Sequence, residues 1–242
     1  MNPTISIAAT LAAAALVVGC SSGIRYKARP APVLPPAVTD GGRAIYVYER
    51  RVEERDGALI ATHVTRDPSG VVQLAETATS TLDYRLASYT LHANQLGHTG
   101  TVTVSGDEVA FRVSQDGRQQ SRVEHQRTPV VVGPTLVGYI VEHLDELAGR
   151  TLKVRFAVLD RLETIGFELS TVSSRDDRVR VKLEPSSFLV GLVVDPTYFT
   201  FDRATRKLIR IEGLVPTKIR RGNWWKDFDA RVEYRFVADR YL

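Results

Sequence analysis

Thr151–Val158 reads TLKVRFAV and Arg178–Glu184 reads RVRVKLE. In both segments apolar residues alternate with basic residues, as Val154 alternates with Lys153 and Arg155. A β-strand points successive side chains to opposite faces, so this period of two predicts strands with one buried face and one wet face.

Strand-like runs separated by turn signals continue in both directions from these segments. RAIYVYERRVEE and ALIATHVTR flank RDG, and TGTVTV and EVAFRVSQ flank SGD. YFTFD, KLIRIEG and ARVEYRF, nearer the C-terminus, are enriched in aromatic and β-branched residues, which favour strands. Because the loops are short, neighbouring strands are predicted to pair antiparallel.

One segment predicts a helix instead. PTLVGYIVEHLDELAG begins with Pro134 and ends with Gly149, which suit the first helical position and the C-terminal cap. Its apolar stripe is formed by Leu136, Val137, Ile140, Val141, Leu144 and Leu147. Such a stripe needs a sheet to cover it, so we predict a mainly β fold of the α+β class. A curved antiparallel sheet or half-barrel would pack on this one main amphipathic helix.

The N-terminal region predicts a lipid anchor. Ile5–Val18 is uncharged, has the length of a signal-peptide core and is too short to span a bilayer. Val17–Cys20 resembles the lipobox of bacterial lipoproteins, and Cys20 is the only cysteine in the chain. The resemblance implies a signal peptide over 1–19 and a diacylglyceryl thioether on Cys20, with an acyl chain such as palmitate on the new amino group. Ser21 in place of Asp favours the periplasmic face of the outer membrane.

A proline-rich tether is predicted between this anchor and the folded domain. ARPAPVLPPAV contains four prolines, which favour extended chain. We therefore assign 20–42 to the lipidated tether and 43–242 to a single β-rich globular domain.

From about Thr128 the chain resembles an uncharacterised family of proteobacterial lipoproteins and periplasmic proteins. The segments that carry the resemblance are DELAG, LKVRFAV, FLVGLVVDP and YFTFDRATRKLIRIEGL, the last through Arg206, Leu208, Glu212, Gly213 and Leu214. These are turn and packing residues, so the resemblance implies a fold and no activity. The predicted half-barrel is also similar in architecture to the Lol carriers, which hold acyl chains in an apolar cavity; the likeness is one of fold alone.

Residues that could carry chemistry are sparse. The five histidines, at positions 63, 92, 98, 125 and 143, do not have metal-ligand spacing, and the chain contains neither a GxSxG elbow nor a glycine-rich phosphate loop. We therefore predict no catalytic residues, no metal and no cofactor.

Three surface features each allow two interpretations. SSFLVGLVVDP is either a short core element or an exposed apolar loop that contacts lipid or a ligand. Basic residues on the wet strand faces are either solubilising or form a stripe that attracts anionic headgroups. KIRRGNWWKDF, with Arg220, Arg221, Trp224 and Trp225, packs at an edge or makes a surface contact.

The leading hypothesis is a non-enzymatic binding or structural module, anchored to the membrane, that binds an amphiphile. A lipid cavity would lie between the sheet and the 134–148 helix, lined by Leu136, Ile140 and Phe156. The first alternative is an envelope assembly protein that binds another protein through a sheet edge or the Trp224 segment. A hydrolase of lipid or cell wall is the weaker alternative. The predicted compartment argues against nucleic acid as a partner.

Overall fold

The structure is a computed structural model that describes residues 34–40, 43–175, 177–191, 194–222, 224–227 and 229–235. The predicted signal peptide, Cys20 and the tether up to residue 33 lie outside the described residues.

Strands make up most of the described chain. The first nine are β1 (Leu34–Asp40), β2 (Arg43–Arg55), β3 (Ala58–Arg66), β4 (Val72–Ser80), β5 (Leu86–Ala93), β6 (His98–Ser105), β7 (Glu108–Gln115), β8 (Arg118–His125) and β9 (Val130–Val131). The others are β10 (Leu152–Val158), β11 (Glu163–Arg175), β12 (Arg178–Pro185), β13 (Thr197–Asp202), β14 (Leu208–Leu214), β15 (Ile219–Arg221), β16 (Trp224–Lys226) and β17 (Asp229–Arg235). The helices are α1 (Gly133–Glu142), α2 (Leu144–Leu147) and α3 (Phe188–Gly191), with 3-10 turns at Asn94–Leu96 and Leu159–Arg161.

In the described part of the chain, fifteen strands form one curved, unclosed sheet in the order β8-β7-β6-β5-β4-β3-β2-β1-β17-β14-β13-β12-β11-β10-β9. The short edge pair β9 and β10 is parallel, and the other neighbours are antiparallel. The predicted mainly β fold with a curved antiparallel sheet is confirmed. The sheet therefore has two halves, joined where β1 from the start of the chain pairs with β17 from its end.

The sheet begins earlier in the chain than Arg43, where the sequence analysis placed its start. β1 pairs with both β2 and β17, although it contains Pro35 and Pro36. The pairing of β1 with β17 shifts register between Leu34 and Ala37, and prolines are tolerated in a sheet at such irregularities. Residues 34–40 therefore belong to the sheet and not to the predicted tether.

The predicted helix is present, but it is divided at His143. The backbone of His143 leaves the helical region (φ −104°, ψ 14°), and its Nδ1 lies 2.9 Å from the Tyr139 carbonyl oxygen. Its ring also stacks on the Tyr139 ring at 4.2 Å between centroids. The Thr135 hydroxyl accepts the Val132 N–H at 3.1 Å and fixes the start of α1. The result is a helix of ten residues followed by a single turn.

The buried side of α1 joins the two halves of the sheet. One core cluster packs Leu136 and Ile140 of α1 with Leu59 of β3 and with Phe199 and Phe201 of β13. A second cluster packs β4–β7 against Val130 of β9 and Leu159 of the second 3-10 turn. At this contact a side chain at Gly100 would meet Leu159 at 2.8 Å, so the two ends of the sheet approach closely. The curved sheet thus encloses α1 and an interior space beside it.

Candidate functional site: an apolar cavity with a polar wall

A cavity of about 320 Å³ lies inside the curved sheet beside α1. Its apolar lining includes Leu91 of β5, Leu136 of α1, Phe156 of β10 and Phe199 of β13. Pockets that bind small molecules fall in the range of roughly 300–1,000 Å³, and an apolar cavity of roughly 150 Å³ already binds benzene. The cavity is therefore large enough for one compact apolar molecule or a single hydrocarbon chain.

The structure places two of the three predicted cavity residues, Leu136 and Phe156, on the cavity wall. Ile140 is fully buried in the core cluster around α1 and is not a lining residue. The apolar stripe of a helix does not show which of its residues contact a cavity and which contact neighbouring side chains.

A row of polar side chains, which the sequence analysis did not identify, crosses the wall of the cavity. Arg50 of β2 is opposite His63 of β3, and His63 is opposite Glu76 of β4. Residues directly opposite in an antiparallel pair share one face of the sheet. His63 and Glu76 are only 3% and 4% exposed. A sequence signal did exist, because His63 falls in the buried phase of β3 with Leu59 and Ala61.

Tyrosines complete this polar wall, which we define as Tyr48, His63, Glu76, Tyr89 and Tyr234, all of which line the cavity. The Tyr89 hydroxyl donates to Glu76 Oε1 at 2.7 Å, and the Tyr48 hydroxyl contacts His63 Nδ1. His63 Nδ1 lies 3.8 Å from Glu76 Oε2, and the rings of Tyr48 and Tyr234 meet edge to face. Among the described residues, His63 Nε2 and Glu76 Oε2 have no hydrogen-bond partner.

Burial sets the protonation states of the polar wall. It raises the pKa of Glu76 to about 7, although the hydrogen bond from Tyr89 acts in the opposite direction. Burial, together with the positive charge of Arg50, lowers the pKa of His63 well below its ordinary value. The tyrosine pKa values are raised, mainly by burial. At neutral pH the imidazole and the phenols are therefore uncharged, and Glu76 is near its midpoint.

The charge of Glu76 is predicted to make the free energy of unfolding depend on pH. The carboxyl loses its proton near its ordinary pKa of 4.5 when the chain is unfolded, but only at about 7 when it is folded. The folded state binds more protons in that window, so the contribution of Glu76 to stability falls as pH rises through it. His63, with its lowered pKa, acts in the opposite direction, because its contribution is lost as pH falls through its ordinary value of 6.5.

The difference between the wild type and Glu76→Gln isolates the Glu76 contribution from that of His63. We expect Glu76→Gln to gain stability relative to the wild type between about pH 5 and about pH 8, by on the order of 1 to 3 kcal/mol in urea unfolding. Glu54→Gln, on an exposed part of β2, should show no such trend. Parallel stability curves for the wild type and Glu76→Gln would contradict the assignment.

Other groups around the polar wall carry positive potential. The Arg50 Nη2 donates to the Pro134 carbonyl at 3.5 Å, which places the guanidinium beside the start of α1. A side-chain carbon at Gly133 would lie 3.3 Å from Glu76 Oε1, so the N-terminus of α1 adjoins this carboxyl. The positive end of a helix favours the charged form of a carboxyl, but burial outweighs it here.

The basic strand faces are matched by carboxylates. Arg180 lies 3.3 Å from Glu212, Lys182 lies 2.7 Å from Glu184, and Lys153 lies 4.0 Å from Glu168. Arg210 is shared between Glu212 and Glu233, at 3.8 and 3.5 Å. These basic side chains are therefore accounted for by the first interpretation, in which the strand face is solubilising and its charges are compensated by nearby acids.

The Trp224 segment forms a separate hairpin of β15 and β16. Trp224 is 78% exposed, whereas Trp225 is partly buried with the Arg220 guanidinium 5.9 Å from its ring centroid. Arg221 lies opposite Trp224 in the hairpin, and its side chain is outside the described part. The structure thus brings these four predicted contact residues onto one hairpin, and Arg220, Trp224 and Trp225 do not line the cavity.

The apolar run SSFLVGLVVDP contains the single helical turn α3 (Phe188–Gly191). Phe188 is 80% exposed, so it is not a core residue. Val194 and Asp195, at the end of the run, line the cavity. The segment therefore combines features of both interpretations. It contains a short helix, but its Phe188 is exposed and does not belong to the core.

Within the described ranges, no group of three histidine, cysteine or acidic side chains is arranged to hold a metal ion. Nor is any helix there both long enough and apolar enough to cross a membrane. Comparison with family models, curated proteins and solved structures finds no match for this chain.

Proposed function

We propose that the protein is a membrane-anchored lipoprotein whose periplasmic domain binds one amphiphile in the cavity without chemical turnover. The observation that carries the proposal is the apolar cavity of about 320 Å³ with the polar wall on one side. Apolar walls with a few placed polar groups are typical of small-molecule sites. The lipobox resemblance at Cys20 supports the anchor, and Ser21 supports the outer membrane.

The size of the cavity restricts the ligand. It has about twice the volume of an apolar cavity that holds one benzene molecule. A single acyl chain or a small fused-ring system is compatible with this volume, whereas the several chains of a complete membrane lipid are not. The proposed ligand is therefore a single-chain or compact-ring amphiphile.

Binding of a neutral apolar fluorophore to the full-length protein tests this proposal. We expect N-phenyl-1-naphthylamine to bind with a stoichiometry of one, in a detergent-free buffer, because detergent would compete for the cavity. Saturable binding that a single-chain amphiphile displaces would support the proposal. Absence of saturable binding, in protein that unfolds cooperatively, would overturn it.

A second candidate function, an envelope assembly protein, is favoured by one observation. Trp224 and Phe188 are both large apolar side chains with at least three quarters of their surface exposed. Tryptophan is enriched at the centres of protein interfaces. Recovery of one stoichiometric envelope protein with the wild type, and its loss with Trp224→Ser, would favour this alternative.

A further inference from the structure

Three atoms of the polar wall, namely His63 Nε2, Glu76 Oε2 and the Tyr234 hydroxyl, have unused hydrogen-bonding capacity among the described residues, and the first two belong to side chains that are opposite each other in the sheet. His63 Nε2 and Glu76 Oε2 lie in side chains that are 4% exposed, and neither has a hydrogen-bond partner among the described residues. A buried polar atom left unpaired costs on the order of 1–3 kcal/mol. Both side chains line the cavity, so a ligand that supplies the missing partners would recover this free energy.

The partners already present define what the ligand must offer. A neutral imidazole has one donor nitrogen and one acceptor nitrogen. We assign the Tyr48 hydroxyl as the donor to His63 Nδ1, the arrangement in which the imidazole carries its proton on Nε2 and this nitrogen is left as a donor. The Tyr89 hydroxyl occupies Glu76 Oε1, which leaves Oε2 as an acceptor. One group that accepts from the imidazole and donates to the carboxylate would satisfy both atoms.

An ionic ligand group meets only one of the two requirements. A carboxylate or phosphate anion can accept from the His63 Nε2–H, but it has no proton to donate to Glu76 Oε2, beside which it would be buried. An ammonium group can donate to Glu76 Oε2, but it has no lone pair to accept from the Nε2–H, and Arg50 is opposite His63 in the sheet. An uncharged group that both donates and accepts is therefore the best complement.

We propose that the polar wall binds the hydroxyl group of an uncharged alcohol, through His63 Nε2 and Glu76 Oε2, while the apolar body of the alcohol fills the cavity. This inference rests on the proposed function, because it assigns the ligand class of the same cavity. A hydroxyl has one donor and two acceptor sites, so it meets both requirements with one atom. His63 and Glu76 are opposite each other in the sheet and both line the cavity, and Glu76 Oε2 lies 3.8 Å from Nδ1 of the same imidazole ring, so one small group can approach both side chains.

Competition against bound N-phenyl-1-naphthylamine tests the choice of group in the full-length protein. The competitors share one chain length and differ at the polar end: 1-decanol, decyl methyl ether, decanoic acid and decylamine. At pH 8, where the Glu76 carboxyl with its pKa of about 7 is mostly ionised, we expect 1-decanol to bind about tenfold or more tightly than each of the others, the equivalent of one additional charge-assisted hydrogen bond. Equal affinity of the alcohol and the methyl ether, which cannot donate, would overturn the proposal.

Variants of the polar wall test whether the preference for 1-decanol over the methyl ether arises from His63 and Glu76. Glu76→Met and His63→Phe should each reduce the preference for 1-decanol over the methyl ether to near unity, after correction for the affinity of the probe itself. Glu54→Gln, exposed on β2, should leave that preference unchanged. A preference that persists in both wall variants would mean that the hydroxyl is recognised elsewhere in the cavity, and would overturn the inference. In that case the fluorophore would still bind and the proposed function would stand, whereas failure of the fluorophore to bind would overturn both.

Discussion

Leu136→Trp is expected to abolish binding of N-phenyl-1-naphthylamine to a protein that remains folded. Leu136 is 5% exposed and lies on the cavity wall in the first turns of α1, so an indole ring at this position would extend into the cavity. A ligand that buries about 100–200 Å² of apolar surface gains roughly 2.5–5 kcal/mol from it. Loss of that contact predicts a decrease in affinity of about 100-fold or more, measured by fluorescence titration.

Two controls separate a filled cavity from a damaged fold. Val123→Trp adds the same ring to an exposed position of β8, 54% exposed in the wild type, and should bind the fluorophore normally. Leu136→Ala enlarges the cavity and should retain binding, although it loses stability. If Leu136→Trp unfolds cooperatively and still binds the fluorophore with wild-type affinity, the binding site lies elsewhere.

Gly138→Ala is expected to destabilise the protein strongly, although alanine is the better helix former. In an exposed helix interior this change would stabilise by about 1 kcal/mol. Here the added carbon would overlap the ring of Tyr84, which is 3% exposed and packs in the core around α1. Either α1 or the ring must move, and expelling a buried aromatic ring costs about 3–5 kcal/mol, by analogy with truncating one.

Urea unfolding measures this effect, with Gly149→Ala as the matched substitution. A side-chain carbon at Gly149 has no neighbour within 4 Å, so its replacement should change stability little. Tyr84→Leu combined with Gly138→Ala should destabilise less than the sum of the two single changes, because the clash requires both residues. A Gly138→Ala protein more stable than the wild type would show that α1 does not pack on Tyr84 as described.

The alternation of apolar and polar residues was sufficient to predict most strands. In β3 and β12 the buried positions fall on every second residue, so the periodicity directly reports the face toward the core. The helix was predictable for the same reason, through its apolar stripe. The division at His143 was not, because it is a departure of a single residue's backbone angles from helical values, which periodicity does not encode.

The polar wall could not be derived from any single segment. Arg50, His63 and Glu76 belong to three strands and form a row only when both registers are known. In the sequence His63 is one of five scattered histidines, and Glu76 resembles an ordinary surface acid. In β3 and β4 the alternating positions that face the core include His63 and Glu76, polar residues where apolar ones are expected. Such a residue in a strand therefore merits attention before the usual motifs of catalysis.

Native mass spectrometry of the full-length protein, isolated from its source without displacing bound molecules, tests the central claim most directly. Covalent lipid on Cys20 would persist under denaturing conditions, so only mass lost on denaturation reports the cavity. We predict one noncovalent amphiphile per wild-type protein and none in Leu136→Trp. The same mass with and without denaturation in the wild type, under conditions that preserve the fold, would contradict the proposal that this cavity holds a ligand.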